Sequence, residues 1–218
     1  MTAVSTYPVT AAAGLAETVL PESLLARLPA TAPPAPWNVR CLTVTWLHPA
    51  EDGGTVAWAL VRYEDTPVGP YSELAATRLP DDPEGYGTIP FIVVDSLPSI
   101  VGGRVNWLLP KALADFTWSP PTHSVTVTAV EPDTPAWTAT ITVQPSGDTS
   151  PLTVPNRLEQ ATRDGTVRRF TGELTGSFRP ARVVVDAHAD GPLASLLHSG
   201  TYDGGLMTDC RFAVGALA

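Results

Sequence analysis

A chain of 218 residues is long enough for one sizeable hydrophobic core and short enough to form a single domain. With 44% hydrophobic and 16% charged residues, it reads as a folded globular protein and not as a disordered one. A formal net charge of −9 argues against nucleic acid as the main partner, because phosphate binding needs a concentrated basic surface.

No apolar run approaches the roughly 20 residues that span a bilayer, so no membrane partner is expected. Residues 1–20 are Ala/Thr-rich and weakly patterned, and are expected as a loosely ordered arm on one domain covering 1–218. They contain neither a positive start nor a compact apolar stretch, so the expectation is a cytoplasmic protein with no signal peptide. Pro21 to Leu28 predicts a short helix, with Pro21 in its first turn and Leu24, Leu25 and Leu28 on one face. Four prolines between Pro29 and Pro36 end it as an extended connector.

Strands then dominate. Val39 to Leu47 alternates, Glu51-Asp52-Gly53-Gly54 is a hairpin turn, and Thr55 to Tyr63 returns. Tyr71 to Leu79, Thr88 to Val94, Val125 to Val130, Ala136 to Val143, Thr166 to Phe178 and Arg182 to Ala187 follow. Helix is expected only at 21–28, 109–115 and Leu193 to His198, and 144–151 reads as a loop. This pattern predicts a mainly β fold: an antiparallel sheet closed into a barrel or cone with a few short helices and Lys111 inside.

Cys41 and Cys210 form no CxxC motif and are expected as buried thiols, although the spacing also permits pairing. The four histidines show no HxH or HExxH spacing, so no metal site is expected. Asp186-Ala187-His188 lacks an accompanying GxSxG elbow and reads as a strand end.

Twelve arginines accompany a single lysine, and that lysine lies in an apolar stretch, GRVNWLLPKALA at 103–114. An ammonium among Trp107, Leu108, Leu109 and Leu113 would lose hydration, which disfavours the charged form and lowers its pKa. A neutral amine attacks ketones and aldehydes. The same residues also fit a lysine whose stem is buried and whose ammonium reaches solvent.

Gly103-Arg104 with Pro110-Lys111 six residues beyond the arginine resembles the acetoacetate decarboxylase family. A second block, Asp65-Thr66-Pro67-Val68-Gly69-Pro70-Tyr71-Ser72-Glu73, resembles that family's glycine turn and tyrosine-x-glutamate. Between them Ile92 to Ser96 resembles the strand leading into the lysine loop. The detailed match covers residues 55–120. The resemblance implies a fold of that family and a cofactor-free lyase acting on a small carbonyl substrate, with a β-keto acid the first choice. In that family the lysine is activated by desolvation or by a neighbouring cation. Lys111 would form the Schiff base and lose carbon dioxide through an iminium, and Glu73 would transfer or orient protons. Arg104, Tyr71, Trp107 and Arg40 would bind substrate. An aldolase or dehydratase using the same iminium, or a non-catalytic binding protein, are the alternatives. Relatives associate symmetrically, so a homo-oligomer is expected.

The chain departs from the family at Ala112, where a second lysine is usual, and at Val105, where a glutamate is usual. The stretch around Trp58 and Ala59 is apolar where relatives offer another acid. These departures imply a larger or less polar substrate than acetoacetate.

Overall fold

The computed structural model describes residues 7–51, 53–119 and 124–217. Asp52 of the expected hairpin turn, His123 and the first six residues of the expected arm therefore lie outside the described residues.

The fold is mainly β, as its alternating apolar patterns predict. Ten strands run in chain order: β1 Trp37–Pro49, β2 Thr55–Asp65, β3 Tyr71–Arg78, β4 Thr88–Val94, β5 Lys111–Ser119, β6 Ser124–Ala129, β7 Trp137–Pro145, β8 Ser150–Ala161, β9 Val167–Ala189 and β10 Gly200–Leu217. Their order in the sheet is β10-β1-β2-β3-β4-β5-β6-β7-β9-β8, and β9 pairs back onto β10. Nine strands thereby close into a ring, with β8 attached along the first half of β9. Every pairing between these strands is antiparallel except β4 with β5.

Besides β8, Ser150–Ala161, which the sequence did not predict as a strand and which begins inside the expected 144–151 loop, three elements differ from the sequence expectation. The predicted strands at 166–178 and 182–187 are one strand of 23 residues, β9. Its central Pro180 falls at the seam between β7, whose last residue Pro145 lies opposite Ala181, and β8, whose first residue Ser150 lies opposite Phe178. The missing N–H costs no ladder bond there, and the Pro180 carbonyl accepts from Ser146 N at 2.8 Å. The glycine-rich C-terminal segment, which carries little strand propensity, becomes β10 because β1 and β9 pair with it on both sides. At Gly204 a Cβ would overlap the Thr45 carbonyl oxygen, so this position holds close backbone approach.

The third difference positions the site. Helix was expected at 109–115, but the helix is α3, Leu97–Trp107, after the short α1 (Tyr7–Ala11) and α2 (Glu22–Leu25). Ser96 caps its start, Pro98 sits in the first turn, and Leu108 ends it in the left-handed region at φ 58°. Residues on every side of α3 are buried, so it shows no apolar stripe in sequence. It serves as the crossover that a parallel β4–β5 pair requires.

Alternation along β1–β5 sorts the buried side chains onto two faces. One face holds Trp46 stacked on Trp58 at 5.8 Å, with Phe91 packed on Trp58 and on Trp137. The other holds Tyr63, Tyr71, Glu73 and Lys111, and α3 lies against it. Trp37 from β1 meets α3 edge-on at Trp107, with ring centroids 5.2 Å apart. The region expected as a loose arm is docked over the residues described. Val9, Ala12, Thr18 and Leu20 are buried, Leu15 N donates to Pro90 O, and Ala13 N donates to Ala161 O.

Gly102 faces the Trp37 ring so closely that any Cβ would overlap it. Gly102→Ala is expected to lower stability by about 1–3 kcal/mol, the usual cost of overpacking. An unchanged urea midpoint would show that α3 and β1 are not packed this tightly.

Candidate active site

Lys111 opens β5, immediately after the left-handed stop of α3 and Pro110. Its parallel partner on β4 is Ile92, which pairs with Ala75 on β3. The two-residue period of β3 then places Tyr71, Glu73 and Ala75 on the face that Lys111 occupies. The lysine stem lies across Gly103, where a Cβ would stand 2.5 Å from Lys111 Cδ. Glycine at this position lets the stem cross the helix, so that the amine reaches Ser99 one turn earlier.

The Lys111 side chain is buried and its three donors are all used. Nζ donates to Glu73 Oε2 at 2.7 Å, to Ser99 Oγ at 3.0 Å and to Tyr71 OH at 3.4 Å. The other Glu73 oxygen accepts from Tyr63 OH at 3.0 Å. Tyr63 and Tyr71 are register partners on β2 and β3, with ring centroids 4.4 Å apart. Lys111 Nζ lies 5.2 Å from the Tyr71 ring centroid.

Electrostatics reverse one expectation. Burial by itself pushes the Lys111 amine down, as the sequence reading held. The Glu73 charge, then Tyr71 and the hydrogen bonds from both, outweigh burial and raise it above the ordinary lysine value. The resting site is therefore an ammonium–carboxylate pair and not a free amine. Burial is also the main reason that Tyr63 and Tyr71 are raised, so both phenols stay protonated at neutral pH.

Lys111, Glu73 and Tyr71 come together, and three other nominated residues do not join them. Arg104 was expected to bind substrate, but all three guanidinium nitrogens donate to backbone carbonyls. Nε reaches Lys111 O at 2.7 Å, one terminal nitrogen Val9 O at 2.7 Å, and the other Thr18 O at 2.6 Å. It fastens the N-terminal segment and the Lys111 backbone to α3. Burial, with the Arg163 charge adding to it, lowers Arg104 to about 9, which leaves it charged at neutral pH. Trp107 was expected to line a pocket; it is enclosed by Trp37 and Phe170, and its Nε1 donates to Gly215 O at 3.1 Å. Arg40 has a largely exposed side chain on β1, 3.9 Å from Glu64, because strand alternation turns it away from buried Val39 and Cys41.

Ser99 and Tyr63 were missed. Tyr63 was findable, because pairing β2 with β3 across the Thr66–Gly69 turn sets it opposite Tyr71. Ser99 had no signal without the helix, since only helical spacing stacks it over Gly103. Among the described residues, no group of three His, Cys, Asp or Glu side chains is arranged to hold a metal ion.

The sequence matches the family model for acetoacetate decarboxylase over residues 28–195. The chain belongs to the acetoacetate decarboxylase family. Solved structures agree in fold. An acetoacetate decarboxylase from Legionella pneumophila aligns with a TM-score of 0.59 at 17% identity, covering 86% of this chain and 89% of that one. A second acetoacetate decarboxylase structure aligns with a TM-score of 0.56 at 14% identity, covering 90% of this chain and 96% of the other. A search of curated proteins gives no sequence match. The low identities mark a divergent member of the acetoacetate decarboxylase family.

Raised groups set the alkaline limit of stability. Unfolding releases Tyr63 and Tyr71 to ionise near 10.0 and Lys111 to deprotonate near 10.5, while the folded protein retains those protons. Stability from these groups is complete below pH 10 and is lost as pH climbs through the higher folded-state values. The urea midpoint is expected to fall above pH 10, and Tyr63→Phe is expected to soften that fall. An identical alkaline profile in the variant would remove Tyr63 from the coupling.

Proposed function

We propose that the protein is a Schiff-base enzyme in which Lys111 attacks the carbonyl carbon of a small substrate. The observation that carries this reading is a buried amine held at 2.7 Å from a carboxylate that also accepts a tyrosine hydroxyl. Glu73 is the group to which the ammonium gives its proton as substrate arrives. Substrate then meets a neutral amine, with Ser99 and Tyr71 hydroxyls within hydrogen-bonding distance of the nitrogen.

Decarboxylation of a β-keto acid is the first reading. The amine adds to the ketone, the carbinolamine loses water, and the iminium accepts the electron pair of the carbon–carboxylate bond. Carbon dioxide leaves. Glu73 gives the proton it took from Lys111 to the departing hydroxyl, which leaves as water; it then takes a proton from solvent and passes it to the enamine carbon, and hydrolysis of the resulting iminium releases the ketone. The side chains carry this sequence without a metal or organic cofactor. A cytoplasmic location and self-association belong to the same proposal.

One observation favours the second reading, an aldolase or dehydratase acting on a neutral carbonyl compound. Arg104 is spent on backbone carbonyls and Arg40 faces outward, so neither nominated guanidinium supports a substrate carboxylate.

Incubation with acetoacetate, longer β-keto acids and simple aldehydes, followed by borohydride and mass measurement, tests the shared step. A covalent adduct on Lys111 is expected, and Lys111→Ala should lose adduct and turnover while keeping its fold. Turnover retained in that variant would refute the assignment. No adduct with any carbonyl compound would leave non-catalytic binding. Carbon dioxide release separates decarboxylation from carbon–carbon condensation.

Glu73→Gln tests the proton route with opposite signs for two steps. Removing the carboxylate leaves burial to lower the Lys111 pKa, so first-step trapping near neutral pH should become faster. Turnover should fall about 10²-fold or more, as expected for loss of a general acid–base. Equal turnover in both proteins would take Glu73 out of the mechanism.

A further inference from the structure

The chain has two cysteines, and the fold makes them each other's partner. Cys41 on β1 and Cys210 on β10 stand directly opposite in the antiparallel ladder. Both are free and buried. Directly opposed residues of such a ladder have Cα atoms about 4.5 or 5.5 Å apart, inside the range of about 4.4–6.8 Å that a disulfide spans. The ladder is irregular next to the pair, with a register shift between Cys41 and Thr43 and a left-handed Asp209 at φ 52°. Local backbone adjustment is thus already built into the strands that would carry the bond. Nothing bulky covers the pair from β9, where Gly176 faces Cys210 and a Cβ would stand 3.1 Å from its sulfur.

We propose that Cys41 and Cys210 are a modification site that closes reversibly to a cross-strand disulfide under a peroxide oxidant. Two S–H bonds break and one S–S bond forms. The two electrons reduce the peroxide O–O bond, and the two protons leave with its oxygens as water. The two thiols interact electrostatically, which raises Cys41 and lowers Cys210 from their ordinary values, and the Cys41 sulfur lies 3.5 Å from Thr43 Oγ1. One thiol takes the peroxide oxygen as a sulfenic acid, and the other, directly opposite, displaces it as water to close the disulfide.

The pair also adjoins the site. Cys41 is the register partner of Tyr63 on β2, and Tyr63 donates to Glu73. Closing the disulfide ties the Cys41 side chain to β10 and so constrains β1, on which Tyr63 is registered. Resting on the Schiff-base reading above, this makes carbonyl trapping by Lys111 dependent on the redox state of the pair.

The folded protein is treated with hydrogen peroxide and analysed by thiol titration, intact mass and non-reducing peptide mapping. The expected result is loss of both thiols, loss of two hydrogens in mass at the cysteines, a peptide linking positions 41 and 210, and full reversal by a thiol reductant. Thiols that survive peroxide in the folded protein, or that gain only oxygen, would overturn the site. Carbonyl trapping by borohydride is then compared in reduced and oxidised protein and in Cys210→Ser. A several-fold change on oxidation, absent from Cys210→Ser, is expected. If the disulfide forms and trapping does not change, the regulatory link is overturned. If reduced protein traps no carbonyl compound, the Schiff-base reading fails, while the disulfide result stands separately.

Discussion

A charged lysine and a charged glutamate share a nearly dry space between β3, β5 and α3, 2.7 Å apart. Either charge alone would be costly there, because removing one partner of a buried ion pair typically costs about 3–5 kcal/mol. The surrounding structure is arranged so that neither is alone. Ser99 and Tyr71 take the remaining protons of the ammonium, and Tyr63 fills the second carboxylate oxygen. The strand register of β2, β3, β4 and β5 brings Tyr63, Tyr71, Glu73 and Lys111 to one face, and α3 adds Ser99 from above it.

That pair also changes how lysine activation has to be understood in this chain. Desolvation alone would leave a neutral amine waiting for substrate. With Glu73 in contact, the two carriers of one proton face each other, and low polarity disfavours the paired charges less than either charge alone but still more than the neutral pair. Moving the proton from nitrogen to carboxylate converts two buried charges into two neutral groups. In the proposed mechanism a bound substrate lowers the polarity around the pair and favours that transfer, so that binding is coupled to activation. The proposed chemistry draws on this coupling and does not require a permanently low lysine pKa.

Arg104 shows how a residue conspicuous in a motif can serve the frame of a site. Its guanidinium binds three carbonyls from three separate stretches: the N-terminal segment at Val9, the turn at Thr18 and the first residue of β5. Five donors in a rigid planar fork suit that task better than a lysine would. The position of Lys111 therefore depends on an N-terminal segment whose sequence carries little pattern of its own. Its burial comes from what it covers: Leu15 reaches the β4 backbone, and Ala13 reaches β8.

Sequence alone determined the strand-rich character and most of β1 to β4, β6 and β7, and it singled out Lys111, Glu73 and Tyr71, whose side chains the fold brings together. Alternation with a period of two and turns marked by glycine and proline are local signals, and a single lysine in an apolar run is visible without any fold. Tertiary structure decided the rest. It made α3 a helix where two glycines and all-round burial erased the amphipathic stripe, and it made β10 a strand through pairing on both edges. It brought in Ser99 and Tyr63, placed Cys41 against Cys210, and removed Arg104, Trp107 and Arg40 from the site. Those outcomes depend on which segments lie side by side, and neighbours distant in the chain leave no periodic trace in it.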